Sequence, residues 1–319
     1  MKWKKLGRIF NPIEIENKDW MKGGYAQCVS TVIFESFVRV YFSCRPEIDD
    51  DGQYVSYTAF LDLNRKNLKE IIKISDKPVM NLGELGTFDE FAIYPTSVIN
   101  FDGRLALYYA GWTRCKSTPY TVSIGLAFSD DDGINFKRIG KGPILTNSLQ
   151  EPFELSGPKV RKINNIWYMY YLAGEKWTQI SDKAESTYKI RLATSNDGIK
   201  WEKYNKSIIV DVLPEEECQA GPDVIYFDNK YHMFFSYRYA HNFKNKERGY
   251  KIGYAYSDDA INWVRDDSKA GIELSDNGWD SEMMHYPHVF ELDNNLYMLY
   301  NGNEFGKYGF GLAKLINKN

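Results

Sequence analysis

Residues 157–175 have the sequence GPKVRKINNIWYMYYLAGE, and three similar phrases stand elsewhere in the chain. They are YPTSVINFDGRLALYYAGW from residue 94, GPDVIYFDNKYHMFFSYRY from residue 221 and YPHVFELDNNLYMLYNGNE from residue 286. A fifth phrase, AQCVSTVIFESFVRVYFSCR, lies about one period earlier around Ser30 and lacks the proline. Successive prolines are separated by 63, 64 and 65 residues, at Pro95, Pro158, Pro222 and Pro287. A fixed period of this size is typical of one repeated supersecondary unit, and five units account for the 319 residues.

Each phrase has the pattern of a β-hairpin. An alternating apolar run meets a short polar turn such as Asp102-Gly103 or Asn164-Asn165, and a second run rich in aromatic residues follows. A second phrase comes next in the middle repeats, as IGLAFSDDDGINF, IRLATSNDGIKW and IGYAYSDDAINW. It predicts a third strand, a tight turn and a fourth strand that opens on an aromatic residue. Four antiparallel strands per repeat are typical of the blade of a β-propeller.

The two ends of the chain complete this pattern. The last repeat has no fourth strand after Leu315, and the segment Trp3–Phe10 precedes the first hairpin without a partner of its own. We expect this N-terminal strand to close the ring, because closure leaves no open sheet edge. The sequence therefore predicts an all-β fold, a single five-bladed β-propeller domain over residues 1–319.

The composition argues against several functional classes. The formal net charge is −3 and no long charge run is present, so a nucleic-acid partner is not expected. No apolar run approaches the length of a membrane span or forms a signal peptide behind the basic N-terminus. The four scattered cysteines favour reduced thiols and a cytoplasmic location. No group of residues has metal-ligand or phosphate-loop spacing, so neither a metal nor a cofactor is expected.

The Asp-Gly turns of the second phrase resemble the Asp-box turns of sialidases. In such a turn the carboxylate accepts backbone N–H groups and the glycine takes a positive φ. If the first and second strands of each blade meet the functional mouth, this turn lies on the opposite face. We therefore expect a structural role for Asp132, Asp197 and Asp259.

The same topology predicts which side chains share the mouth of the propeller. They come from just before each first strand and just after each second strand, and they include carboxylates, guanidinium groups, amides and tryptophans. Such a mixture in one concave mouth favours an oligosaccharide site. The catalytic candidates are Glu154, Asp89 and Glu282, and the substrate-binding candidates are Arg45, Glu90, Trp112, Arg114, Trp177, Arg238, Asp280, His285, Asn301 and Asn303.

Each candidate also has a structural alternative. Loop carboxylates are commonly just solvated, although Asp89, Glu154 and Glu282 align at similar places in three blades. Arg45 and Arg238 follow equivalent strands, and a structural ion pair is the alternative to a site role for each of them.

The blade phrases, polar-GP-x-V…YYMYY and A-x-S-x-DG-x-x-W, resemble those of the five-bladed propeller glycosidases. This superfamily includes arabinanases and β-xylosidases, invertases and levansucrases, and mannoside phosphorylases. The segments FDEFAIYPTSV and WDSEMMHYPHVFELDNN look like a subgroup of uncharacterised proteins from bacterial surface-polysaccharide gene clusters. The resemblance implies that Glu154 is the catalytic acid and that Asp89 orients it. The first-blade carboxylate of the characterised families is missing, because that place has the sequence MKGGYAQCVSTV.

Three functions follow as hypotheses. The first is a glycoside hydrolase or transglycosidase that acts on a bacterial glycan, with one carboxyl group as acid and a second as base or nucleophile. The second is a glycoside phosphorylase or sugar transferase, in which one carboxyl group suffices and arginines hold phosphate. The third is a non-catalytic glycan-binding protein. All three predict a carbohydrate ligand, and the geometry of the carboxyl groups in the mouth distinguishes them.

Overall fold

Five antiparallel four-stranded sheets are present among residues 1–50 and 52–318, which a computed structural model describes. The first blade contains β2 (Gly24–Ile33), β3 (Phe37–Arg45), β4 (Tyr57–Asn64) and β5 (Asn67–Ile74). The second contains β6 (Ala92–Phe101), β7 (Arg104–Arg114), β8 (Tyr120–Ser129) and β9 (Lys137–Arg138). The third contains β10 (Leu155–Ile163), β11 (Ile166–Ile180), β12 (Lys183–Ser195) and β13 (Glu202–Lys203). The fourth contains β14 (Glu217–Phe227), β15 (Lys230–Tyr239), β16 (Lys251–Ser257) and β17 (Val264–Arg265).

The fifth blade closes the ring with the N-terminal strand. It contains β18 (His285–Leu292), β19 (Asn295–Asn301), β20 (Phe310–Asn317) and β1 (Lys2–Phe10). Strand β1 pairs antiparallel with β20, and the inner strands contact one another in the order β2, β6, β10, β14, β18 and back to β2. The predicted five-bladed propeller and its closure are confirmed. Helix is confined to 3₁₀ turns at Pro12–Glu14, Asp19–Met21 and Asp267–Lys269 and one short α segment at Asn303–Gly306 within the described ranges.

The innermost strands are joined around the propeller axis by one repeated interaction. Ser30 Oγ accepts the backbone N–H of Val98 at 2.9 Å, so blade one holds blade two. Ser97 Oγ accepts the N–H of Val160 at 3.1 Å, which joins blade two to blade three. The corresponding acceptors in blades four and five are Asp223 Oδ2, on Val289 N at 2.7 Å, and His288 Nε2, on Thr31 N at 3.0 Å.

Blade three breaks this pattern, because its equivalent residue is Lys159, which has no acceptor atom. Arg161 makes the link to blade four instead, by donating from Nε to the Val224 carbonyl at 2.7 Å and by pairing with Asp223. Blades one, two, four and five are thus each joined to the next blade by an acceptor on the axis. Blade three is joined to blade four by a guanidinium group.

Buried tyrosines make a second set of links between blades. Tyr41, Tyr108 and Tyr170 each donate to a carbonyl in the tight turn of the next blade, at 2.8–2.9 Å, and the acceptors are Gly133, Gly198 and Ala260. Aromatic packing accompanies these bonds, as in the stacking of Phe101 on Trp167 at 4.8 Å between ring centroids. This packing accounts for much of the high aromatic content.

The tight turns are held by their aspartates, with one difference from the prediction. Asp197 Oδ1 accepts the N–H groups of Ile199 and Lys200, both at 2.8 Å, and Asp259 makes the equivalent bonds. In blade two the acceptor is Asp131, whereas Asp132 has a φ of 56° and occupies the left-handed position beside Gly133. The prediction for Asp132 was therefore wrong by one residue, because this turn has an extra aspartate.

Asp197→Ala should lower the free energy of unfolding by about 1–2 kcal/mol, since two backbone N–H groups lose their acceptor. Sugar affinity should be unchanged, because the turn is far from the central cavity. Chemical denaturation and ligand titration measure the two quantities, with Asn196→Ala at the neighbouring exposed position as the control. A large loss of affinity at wild-type stability would contradict this placement.

Candidate active site

A central cavity of about 400 Å³ opens at the end of the propeller where the first strands begin and the second strands end. Its size suits a ligand of one or two sugar units. Each first strand has a register shift near its start, at Tyr94/Ser97, Ser156/Lys159, Ala220/Asp223 and His285/His288. These bulges turn the segment around each proline toward the axis, because proline has no N–H group for the ladder.

One wall of the cavity is a stack of aromatic rings. Trp112 lies between Tyr94 and Tyr120, with centroid distances of 5.0 and 4.5 Å, and Trp177 meets Tyr120 edge-on at 5.4 Å. All four residues line the cavity. Flat rings of this kind are suited to the apolar faces of sugars.

Arg45 lies in the wall formed by blade one and is 9% exposed. Its guanidinium group lies 4.3 and 4.6 Å from the ring centroids of Tyr25 and Tyr54. It donates to the hydroxyl groups of Ser56 at 3.1 Å and Tyr94 at 2.9 Å and to the Gln27 side chain at 3.4 Å. No carboxylate among the described residues pairs with it, so these residues leave its charge without a counter-charge.

Arg238 occupies a comparable position in the wall formed by blade four and is 5% exposed. It donates to the carbonyl groups of Tyr239 and Ala240, at 2.8 and 3.1 Å, and to the Tyr188 hydroxyl at 3.0 Å. Its guanidinium carbon is 3.5 Å from the centroid of Phe243. In the described ranges it too lacks a carboxylate partner.

The floor of the cavity is a buried charged cluster on the axis. Lys159 Nζ lies 3.2 Å from Nδ1 of His288, and the same Nδ1 lies 2.7 Å from Asp223 Oδ2. Because Nε2 of His288 accepts the Thr31 N–H, the ring proton is on Nδ1 and is donated to Asp223. Burial lowers the pKa of Lys159 to about 8 and that of His288 to about 4.

Glu154 lies immediately behind the aromatic wall and is 3% exposed. Neither of its carboxyl oxygens has a hydrogen-bond partner in the described part of the chain. Burial raises its pKa, and the nearby Ser186 and Trp177 side chains oppose that shift only in part. Gly174 makes room for the group, since a Cβ there would lie 2.6 Å from Glu154 Oε2. Burial therefore shifts the carboxyl group beside the cavity toward its protonated form.

Asp89 and Asp280 do not line the cavity, because each is held by a cation of its own blade. Asp89 accepts from Tyr109 at 2.9 Å and from Arg138 at 2.7 Å. Asp280 accepts from Tyr300 at 3.0 Å and from Lys5 at 2.8 Å. The same arrangement recurs in blades three and four, as Glu151 with Tyr171 and Lys203, and Glu217 with Arg265.

This repeat corrects the alignment of the carboxylates. Asp89 is equivalent to Glu151, and Glu154 follows that position by three residues. The cations come from the outermost strand of each blade. Each lies beside its carboxylate because a buried carboxylate requires a paired charge.

The remaining predicted residues lie around the rim or in supporting positions. Glu282 is exposed, and Asn303 Oδ1 accepts the N–H groups of Glu282 and Met283. Arg114 pairs with Asp49, and Glu90 accepts the N–H of Gly86. Two candidates are fully buried beside the cavity wall: His285, whose Nε2 lies 3.0 Å from the Gly302 carbonyl, and Asn301, which donates to the carbonyl groups of Ala26 and Gly309.

Backbone strain is concentrated around this cavity. Tyr25, Cys28, Tyr286 and Phe305 all line it with positive φ angles of 50–66°. The residue before proline has the same positive φ in blades three and four, where it is a glycine: Gly157 has a φ of 59° and Gly221 a φ of 55°. A tyrosine at the equivalent position 286 is strained, and such strain is typical of functional sites.

Sequence reasoning missed the residues that open the third strands. These residues return from the mouth and contribute to the cavity wall, so the topology could have identified them. Those that line the cavity are Tyr120, Ala184, Glu185, Ser186, Tyr188 and Tyr250.

The described ranges contain neither a cluster of metal ligands nor a helix of membrane-spanning length. No group of three or more His, Cys, Asp or Glu side chains there is arranged to hold a metal ion. No helix there is long and apolar enough to cross a membrane. All four cysteines are unpaired.

Comparison with known proteins places the chain in a family. Its sequence is 32% identical over 317 residues to the uncharacterised protein Rv1502 of Mycobacterium tuberculosis, covering 99% of this chain and all of that protein. The chain belongs to that family. The five-bladed propeller fold of the chain is shared by a superfamily of solved glycoside hydrolase structures. No family model matches the sequence.

A second relative, matched over a shorter part of the chain, is named for an activity. The 1,2-β-oligomannan phosphorylase of Thermoanaerobacter sp. strain X514 is 31% identical over 213 residues, which cover 66% of this chain and 63% of that protein.

Solved structures of the superfamily share the fold at lower identity. A glycoside hydrolase superposes with a TM-score of 0.74 at 15% identity, over 97% of this chain and 90% of the other. A structure from the GH130 family of mannoside phosphorylases, which contains glycoside hydrolases that target β-1,2 mannosidic linkages in Candida mannan, gives 0.67 at 14% identity, over 99% and 94%. The five-bladed propeller fold of this chain is thus shared with these two structures.

Glu154→Gln should change stability in a pH-dependent way. The folded state holds the Glu154 proton more tightly than the unfolded state, whose pKa is about 4.3, so the carboxyl group costs stability increasingly as the pH rises above that value. Unfolding free energy of the variant relative to wild type should therefore increase from pH 4.5 to 7.5. The exposed Glu282→Gln provides the control, and an equally flat profile for both variants would contradict this environment for Glu154.

Asp89→Asn should destabilise the fold by on the order of 2–3 kcal/mol, because Arg138 loses its charged partner beside a buried tyrosine. The figure allows for the partial exposure of Arg138. The neighbouring Glu90→Gln, which removes a carboxylate without an ion pair, should cost much less in the same denaturation assay. Equal stability of the two variants would argue against the structural assignment of Asp89.

Proposed function

We propose that the protein is a glycoside phosphorylase, which transfers a glycosyl unit from an oligosaccharide or glycan to inorganic phosphate. The observation that carries this proposal is the distribution of charge around the cavity. Among the described residues, Glu185 is the carboxyl group that lines the cavity and Glu154 lies just behind its wall, and both belong to blade three. The wall formed by blade one presents Arg45 instead of a carboxylate.

This distribution favours phosphate over water as the attacking group. Hydrolysis requires a second carboxylate across the sugar from the acid, either to activate water or to attack the anomeric carbon. Blades one and three are not neighbours in the ring, so Arg45 and Glu154 approach the cavity from different blades. A guanidinium group with neutral hydrogen-bond partners binds phosphate well and cannot act as a base.

Glu154 is the acid in this proposal. A phosphate oxygen forms a bond to the anomeric carbon as the bond from that carbon to the leaving oxygen breaks. The leaving oxygen takes the Glu154 proton, and solvent restores it afterwards. Since the Glu154 oxygens lie behind the wall and have no hydrogen-bond partner in the described ranges, the carboxyl group must turn toward the nearby Ser186 hydroxyl group, which lines the cavity, to pass the proton.

The relatives and the cysteines are consistent with this assignment. One relative is named as a phosphorylase of β-1,2-linked mannan oligosaccharides, and a manno-configured donor is the first choice for assay. A cytoplasmic location, which remains a prediction, would provide phosphate and keep the four thiols reduced. A role in polysaccharide metabolism likewise remains a prediction.

The test is the reverse reaction, because sugar 1-phosphates are available as defined donors. Mannose, glucose and galactose 1-phosphates are incubated with oligosaccharide acceptors, and release of phosphate is measured. Phosphate release should depend on one donor, and Glu154→Gln should reduce it at least 100-fold while the fold is kept. Glu282→Gln is the matched control and should retain activity.

The forward direction separates phosphorolysis from hydrolysis. β-1,2-Mannobiose and longer oligosaccharides are incubated with and without phosphate, and products are identified by ³¹P NMR. Cleavage at equal rates without phosphate would overturn the proposal in favour of hydrolysis, and near-normal turnover of Glu154→Gln would remove Glu154 as the acid.

A further inference from the structure

Arg238 is a second buried positive charge that the proposed phosphate site does not use. Two other buried arginines of the chain are neutralised, Arg39 by Asp62 at 2.7 Å and Arg265 by Glu217 at 2.6 Å. Arg238 and Arg45 are as deeply buried but have neutral partners throughout the described residues. Because an unpaired buried charge is costly, each position favours an anion supplied by a ligand.

The two arginines define separate anion positions. Arg45 belongs to blade one and its partners to blades one and two, whereas Arg238 is bonded to groups of blades three and four. They have no partner in common, and blades one and four are not adjacent in the ring. A single phosphate ion at Arg45 therefore leaves Arg238 without a counter-charge.

The aromatic side chains around Arg238 are suited to bind a sugar ring. Tyr188, Tyr250 and Phe243 line the cavity around it, with centroids 5.5, 5.3 and 3.5 Å from the guanidinium carbon. The exposed Lys244 lies at the cavity rim nearby in sequence and adds positive charge. An anion that arrives here attached to a pyranose would satisfy both the charge and the aromatic surface.

We propose that the glycan substrate carries an anionic substituent, a carboxylate or a phosphate on a sugar, and that Arg238 binds it. This inference rests on the proposed function for the assignment of Arg45 to inorganic phosphate. The proposed substrate class is acidic glycosides. A neutral mannoside lacks the anionic group that Arg238 would bind.

The test is equilibrium binding in phosphate-free buffer, so that turnover is not needed. Mannose, mannuronate and mannose 6-phosphate are titrated into the full-length protein, together with the corresponding gluco-configured series and inorganic phosphate alone. The wild type should bind at least one acidic sugar ten times more tightly than its neutral parent. The uronate and phosphate arms show which anionic group is preferred.

Variants assign the preference to one arginine. Arg238→Gln should abolish the preference for the acidic sugar and leave binding of the neutral parent within about threefold, whereas Arg45→Gln should keep the preference. Arg238→Lys, which retains the charge without the planar fork, should keep part of it. If Arg238→Gln does not fold, the Lys variant and the salt dependence of the wild type decide, since affinity for the acidic sugar alone should fall with added salt.

Three results would overturn the proposal. They are the absence of any preference for acidic sugars, a preference that survives in Arg238→Gln, and binding of inorganic phosphate alone at Arg238 with no gain for acidic sugars. Failure of phosphorolysis is a distinct outcome, because a protein that binds acidic sugars through Arg238 without transferring them to phosphate would refute only the proposed function.

Discussion

The structure depends on how the innermost strand of each blade is satisfied at the propeller axis. This strand is a sheet edge, and its free N–H groups would otherwise face the channel unpaired. Side chains of the preceding blade supply the acceptors, as Ser30, Ser97, Asp223 and His288 show. The axis is therefore built of polar atoms that must be hydrogen-bonded, and the floor of the cavity has a fixed shape and charge before any ligand binds.

Lys159 is the exception among these axis residues, and it makes the axis part of the candidate site. A lysine cannot accept an N–H group, so its ammonium group turns to the Val29 carbonyl and to His288. Asp223 compensates the charge, and Lys159 and Arg161 hold its pKa below the usual range although burial alone would raise it. One substitution in a repeated position thus places a cation beneath the ligand.

The fold could be predicted from the sequence almost completely, because the 63–65 residue period and the turn chemistry are local signals. Arg45, Trp112, Trp177 and Arg238 were located by the same topology, and all four line the cavity. Asp89 and Asp280 were assigned to the mouth, although they pair with Arg138 and Lys5, because the strand pattern does not show which side chains of neighbouring segments face each other. The third-strand residues such as Tyr188 were not predicted, although the start of the third strand lies at the same mouth as the start of the first strand and the end of the second.

The pairing of carboxylates explains why one of them is left over. Each of blades two to five has a buried acid ahead of its first strand and a cation from its fourth strand to neutralise it. Blade three has two such acids, and Lys203 pairs with Glu151, so Glu154 remains without a counter-charge. Arg45 of blade one and Arg238 of blade four have the opposite excess, with buried charge and no carboxylate partner among the described residues. One cavity therefore brings together a carboxyl group whose pKa is raised by burial and two cations without a described carboxylate partner. In the proposed function, a ligand with a basic leaving oxygen and negative charge at its periphery completes both parts of that arrangement.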